Sequence, residues 1–209
     1  MKVNSVQGNV RNESELILKR LENHLENCLK NNRTKIAFSS THYVSHQQKI
    51  LLHAVQYFLD NYPESSMAIV TFSLDSGFFK ELKNQSIPDE KGEIFSYQKN
   101  ITLISWESLM KNNKREEILA EFDMTFWELP ETDFISQHEL DLKPMLNNLD
   151  SLFLVSNRLK SQDDSHFSES IAHYFQVHGI KIHGLFSEDE RKKTGEKRSF
   201  FSRLLKKAS

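Results

Sequence analysis

The chain has 209 residues, a formal net charge of −2, 38% hydrophobic and 27% charged residues, and only six glycines. Gly8, Gly77, Gly92, Gly179, Gly184 and Gly195 cannot spell Gly-x-Gly-x-x-Gly or Gly-x-x-x-x-Gly-Lys-Ser/Thr, so both standard phosphate-wrapping loops are excluded. Residues 191–209 hold eight basic side chains against Glu196 alone, a net +7 that leaves −9 on residues 1–190; an acidic body argues against a broad nucleic-acid surface.

In chain order, a helix is expected over 13–31, opening after Asn12 with Leu16, Leu18, Leu21, Leu25 and Leu29 on its apolar face. A strand follows at 35–39, then a helix at 45–61 carrying Ile50, Leu51, Ala54, Val55 and Phe58. Further strands are expected at 67–74, 101–106, 124–129, 152–156 and 180–186, and further helices at 78–83, 108–122, 136–149 and 165–178. The segment 84–100 reads as a long polar loop. Ala68-Ile69-Val70 and Leu152-Phe153-Leu154-Val155 are apolar on consecutive positions. Such runs suit strands buried on both faces, as in a parallel sheet. Alternating strands and helices predict an α/β fold: a doubly wound, mostly parallel sheet flanked by helices, one domain over 1–190.

Cys28 is the one cysteine and has no partner for an internal disulfide, which suits a reducing compartment. Residues 1–14 lack the apolar core of a signal peptide, and no apolar run approaches the roughly 20 residues of a membrane span. The expected location is cytoplasmic, with peripheral attachment at the inner membrane through the C-terminal segment.

Ligands of doubly wound sheets sit beyond the carboxyl ends of the strands, so those turns bear on function. The first reads Ala37-Phe38-Ser39-Ser40-Thr41-His42-Tyr43-Val44-Ser45-His46-Gln47-Gln48-Lys49, followed by Leu52-His53-Ala54-Val55. The second is Ile69-Val70-Thr71-Phe72-Ser73-Leu74-Asp75-Ser76-Gly77, and the fourth Met124-Thr125-Phe126-Trp127-Glu128-Leu129-Pro130-Glu131. The fifth begins at Asp150, with Val155 five residues on, and the sixth runs Gly179-Ile180-Lys181-Ile182-His183-Gly184. In order and spacing these resemble the MinD/ParA branch of P-loop ATPases, most closely the cytoplasmic tyrosine-kinase domains of capsule and exopolysaccharide assembly. In that family a leading helix precedes a phosphate loop, an "Ile-Asp-Ala-Asp" strand, an "Ile-Asp-Thr-Pro-Pro" strand, an "Asp-x-x-x-x-Val" strand and a "Gly-x-x-x-x-Gly" strand. The resemblance spans roughly residues 13–187.

The departures fall on the chemistry. The resemblance places the loop's two glycines at Ser40 and Ser45, its phosphate-gripping lysine at His46 and its magnesium-binding hydroxyl at Gln47. Of the two aspartates in the second motif the first falls at Ser73 and the second survives as Asp75; the Walker B-like aspartate becomes Glu128, with Pro130 two residues on. Phosphoryl transfer depends on positioning and charge neutralisation, so losing the nest, the lysine and the hydroxyl together removes the mechanism. Lys49 lies about one helical turn too late to substitute for that lysine. The kinases' Glu-x-x-Arg-x-x-Arg signature is missing, since Glu15 is followed by Leu18 and Leu21, and so is their C-terminal tyrosine cluster, Tyr174 being the last tyrosine. The implied protein is a pseudo-ATPase with a degenerate phosphate loop and no cofactor.

Other constellations carry competing readings. His42 and His46 stand four apart and could present two imidazoles to a metal, but no third ligand is near in sequence, and no metal site is expected. His173, His178 and His183 read as solvated or packing residues, and Asp163-Asp164-Ser165 as a helix N-terminus. Glu128 and Glu131 flank Pro130 at a strand end, a position open to a general base or to a structural carboxylate. Cys28, beside Leu25 and Leu29, reads as a small core residue.

In the C-terminal segment, Phe200, Phe201, Leu204 and Leu205 share one face of a helix flanked by Arg203, Lys206 and Lys207. Large apolar residues with basic flanks suit an interfacial helix on anionic lipid, and MinD-like proteins carry such a helix at their C-terminus. Filling a protein partner's groove and packing back on the domain are the alternatives. The functional expectation is a non-catalytic scaffold or regulator at the cytoplasmic membrane face, in exopolysaccharide or envelope assembly. Its partner would be a protein, such as a related ATPase or an assembly complex, or a second copy of itself. The alternative is an ATPase or kinase with an atypical phosphate loop, using Asp75 and Glu128 at a metal. A nucleic-acid binder would lack a base-reading motif.

Overall fold

The computed structural model describes residues 5–40, 44–72, 74–75, 77–90, 94–97, 100–131, 135, 146–157, 175–177 and 179–187. Helix α1 (Ser5–Lys30) leads into β1 (Lys35–Ser40), α2 (Val44–Asn61), β2 (Met67–Thr71) and α3 (Gly77–Asn84). A short hairpin, β3 (Ile87–Pro88) and β4 (Ile94–Tyr97), precedes β5 (Ile101–Ser105), α4 (Trp106–Lys111), α5 (Arg115–Ala120), β6 (Met124–Glu128), β7 (Ser151–Asn157) and β8 (Lys181–Ser187).

The eight strands form one sheet in the order β3-β4-β5-β2-β6-β1-β7-β8. The six strands from β5 to β8 in that order run parallel; only β3 and β4 are antiparallel. Strand β1 lies between β6 and β7, with Phe38 level with Glu128 on one side and Phe153 on the other.

Alternation along the strands feeds two cores. Ile36 and Phe38 of β1, Met124 and Phe126 of β6, and Phe153 and Val155 of β7 face α1, α2 and α3, meeting Leu21, Leu25, Leu51, Phe58 and Phe79. Ala37, Ala68, Val70, Trp127 and Leu152 point the other way, against Leu109, Leu119, Ile135, Leu146 and Phe175. A helical layer on each face is why the central strands read as unbroken apolar runs rather than alternating ones. Phe38 and Phe153 stack at 5.2 Å and 15° across the β1–β7 pair. Each fully buried side chain of this kind contributes about 1.5–3 kcal/mol of transfer free energy.

The described structure corrects several sequence expectations. The segment 84–100 contains the β3–β4 hairpin, which pairs with the free edge of β5 and buries Phe95. It is hidden in the sequence because its outer strand is two residues long, with Ile87 exposed and Pro88 in it, a residue tolerated only at a sheet edge. The helix expected over 108–122 is two short helices, broken where the Lys114 amide donates to Asn112 Oδ1 (2.9 Å), the side-chain-to-backbone bond that favours a turn. Helix α1 already includes Ser5, ahead of the start expected after Asn12, since a residue that favours a cap is also tolerated inside a helix. Strand β2 ends at Thr71, three residues early, because the chain turns there to bury Leu74. Of the helices expected over 136–149 and 165–178, only 146–149 and 175–177 are described; the rest, with His173, His178 and Asp163-Asp164-Ser165, lies outside the described residues.

Candidate functional site

The connection from β1 departs toward β2 on one side of the sheet, while the connection from β6 crosses over β1 to β7. Such a reversal opens a crevice at the strands' carboxyl ends. The side chains there are Ser39 and Ser40 of β1, Gln47 and Gln48 in the first turn of α2, Thr71 at the end of β2 and Glu128 at the end of β6.

Gln47 is fully buried and donates its carboxamide N–H groups to the carbonyls of Phe38 (2.8 Å) and Leu129 (2.6 Å). It thereby staples the start of α2 to the ends of two neighbouring strands. The Phe38 carbonyl also accepts the Leu129 amide (2.9 Å), and Ser39 Oγ donates to the Pro130 carbonyl (2.7 Å).

Glu128 is 3% exposed. Its Oε1 accepts from Gln48 Nε2 (2.7 Å), and its Oε2 accepts from the Thr71 hydroxyl. Both carboxylate oxygens thus have a donor, which is the condition for keeping a buried carboxylate at tolerable cost. The opposite edge of Gln48 is closed by Gly77, whose φ of +53° suits glycine and where an added Cβ would stand 3.3 Å from Gln48 Oε1. At this site Ser40 Oγ and Gln47 Oε1 are buried with no hydrogen-bond partner among the described residues.

Asp75 lies outside this network: its exposed carboxylate accepts from the Lys83 ammonium on α3. Glu131 is half-buried just beyond Pro130, and its backbone carbonyl accepts the Ile135 amide (3.1 Å). Phe72 and Trp106 meet at 4.9 Å beyond the ends of β2 and β5. No three or more His, Cys, Asp or Glu side chains come together as a metal site among the described residues.

Of the residues singled out from the sequence, Ser40, Gln47 and Glu128 therefore gather at one place, whereas Asp75 is turned toward α3. The side chains of Ser45 and His46, and residues His42 and Ser73, lie outside the described set, as do Phe200, Phe201, Arg203, Leu204, Leu205, Lys206 and Lys207. Thr71, Gln48 and Ser39 were not singled out. The one available signal was their position, directly before a turn or beside Gln47, because hydroxyl and amide side chains have no distinctive spacing.

The chimerical protein CapA2B2 is similar in structure, with a TM-score of 0.50 at 10% identity over 71% of this chain and 75% of that one. A ParA family ATPase from Chlorobium tepidum TLS aligns with a TM-score of 0.49 at 12% identity over 85% and 80% of the two chains. A plasmid partition protein from Borrelia burgdorferi gives 0.49 at 12% identity over 84% and 87%. No protein-family model matches the sequence, and no curated protein matches it. The parallel sheet reversing at β1, the helices on both faces and the likeness to CapA2B2 define a doubly wound α/β fold, mostly parallel and flanked by helices.

Proposed function

We propose that this chain is a non-catalytic member of the MinD/ParA-like fold, a scaffold or regulator at the cytoplasmic face of the membrane in exopolysaccharide or other envelope assembly. The observation that carries this reading is Gln47. At the position that the resemblance assigns to the magnesium-binding hydroxyl stands a longer side chain, fully buried, with its donors committed to two backbone carbonyls. Magnesium in such sites takes hydroxyl and carboxylate oxygens. Glu128, the acidic residue at the Walker B-like position, instead accepts from Thr71 and Gln48, so the donor set present is a poor fit to a magnesium-bound triphosphate. The two carboxylates that an atypical ATPase would need are engaged separately, Asp75 with Lys83 and Glu128 in the buried network.

Residues 1–190 form the protein-binding body in this reading, and its partner is a related ATPase, an assembly complex or a second copy. The segment 191–209 supplies membrane attachment through Phe200, Phe201, Leu204 and Leu205 with their basic flanks. No helix among the described residues is long and apolar enough to cross a membrane. Calorimetric titration with ATP and magnesium, paired with a thermal-shift measurement, tests the central point. The expected result is neither heat nor a shifted midpoint. Micromolar binding that disappears in Asp75→Ala would overturn the reading in favour of an active nucleotide site.

A further inference from the structure

At the amino ends of β7 and β8, opposite the crevice, α1 grips a single imidazole from both sides. His183 of β8 is 4% exposed and stacks on Phe153 at 4.8 Å and 19°. Its Nδ1 lies 3.2 Å from Nδ1 of His24, and its Nε2 lies 3.7 Å from Sγ of Cys28. His24 and Cys28 are one helical turn apart on α1, and the Cys28 thiol also donates to Ser151 Oγ on β7 (3.4 Å). An Nδ1–Nδ1 bond needs one ring to donate and the other to accept. A neutral pair satisfies it, and a doubly protonated pair cannot.

We propose that His24 and Cys28 of α1 and His183 of β8 form a proton-sensitive latch that holds α1 on the sheet when both imidazoles are neutral and loosens it when they are charged. The charged groups facing the pair are mostly cations: Arg20 on α1, Arg33 just after it and Lys181 at the start of β8. Asp150 faces Cys28, but its Oδ2 is already taken by the Thr34 and Lys35 amides (2.9 Å each). On the side of α1 toward α2, Glu22 pairs with His53 (3.2 Å) and Glu26 accepts from Tyr57 (3.2 Å). Added protons at the latch therefore meet repulsion from three fixed cations.

The direction of the titrations agrees with this geometry. Burial first, then His24, Lys181 and Arg33, bring His183 down to about 4. Burial, Lys181 and Arg20 lower His24 as well, and burial pushes the Cys28 thiol up, so it remains a thiol rather than a compensating thiolate.

Hydrogen exchange on the full chain, corrected for the intrinsic pH dependence of exchange, tests the latch. Between about pH 7.5 and about pH 5, amides in the second half of α1 should lose protection about tenfold or more and stay less protected than those of β1 and β6, whose exchange needs the whole sheet to open. His183→Phe should abolish the response, and His24→Gln, at a partly exposed position, should weaken it if the first variant fails to fold. Unchanged α1 protection at about pH 5, α1 amides as strongly protected as those of β6 throughout, or a wild-type response in both variants would each overturn the proposal.

Discussion

At the residue scale, Gln47 shows how one buried side chain can tie the start of a helix to two strand ends. Its amide bridges carbonyls of β1 and of the residue after β6, neighbouring strand ends that α2 must be held against. Truncating Gln47 to Ala would leave the Leu129 carbonyl short of a buried donor and open a void. Unfolding in urea should then show a loss of about 1–3 kcal/mol. Gln47→Glu should cost more, because carboxylate oxygens would face two carbonyl oxygens where donors now stand. The sequence marked Gln47 and Glu128 only by the positions that the family resemblance implied for them. It did not show that Thr71 and Gln48 would complete a hydrogen-bonded network around Glu128. Those partners are 57 and 80 residues away along the chain, and no local pattern links them.

At the element scale, α1 meets the sheet through a titratable contact as well as an apolar one. Leu21, Leu25 and Cys28 bury against the sheet, but the polar fastening to β8 runs through His183. Because its folded-state value of about 4 lies below the ordinary 6.5, folding favours the neutral ring. This contribution is complete above about pH 6.5, declines as the unfolded chain takes up the proton, and levels off below about pH 4. It amounts to about 3 kcal/mol at most, so urea midpoints should fall between about pH 7 and about pH 5 more steeply in the wild type than in His183→Phe. The main strands and α2 were legible in the sequence because burial on both faces or on one wide stripe imposes a strong apolar pattern. The β3–β4 hairpin was not, since an edge strand with one buried residue, Phe95, imposes almost none.

For the whole molecule, the acidic body and basic C-terminal segment make membrane attachment testable apart from nucleotide chemistry. Flotation with anionic liposomes should carry the full chain, and truncation after Gly195 should abolish it; equal flotation of both would remove lipid from the proposed function. Added salt should weaken the attachment without eliminating it, because apolar side chains contribute alongside the charges.

Composition and periodicity alone determined the layered α/β class, the absence of a glycine phosphate loop and the charge division between body and C-terminal segment. Each is a property of local pattern or of simple counting. The tertiary structure decided the rest: Glu128 buried between Thr71 and Gln48, Asp75 turned toward Lys83, and His183 clasped by α1. These depend on which strand ends the sheet order brings together, and hydrogen bonds between distant residues leave no period in the sequence.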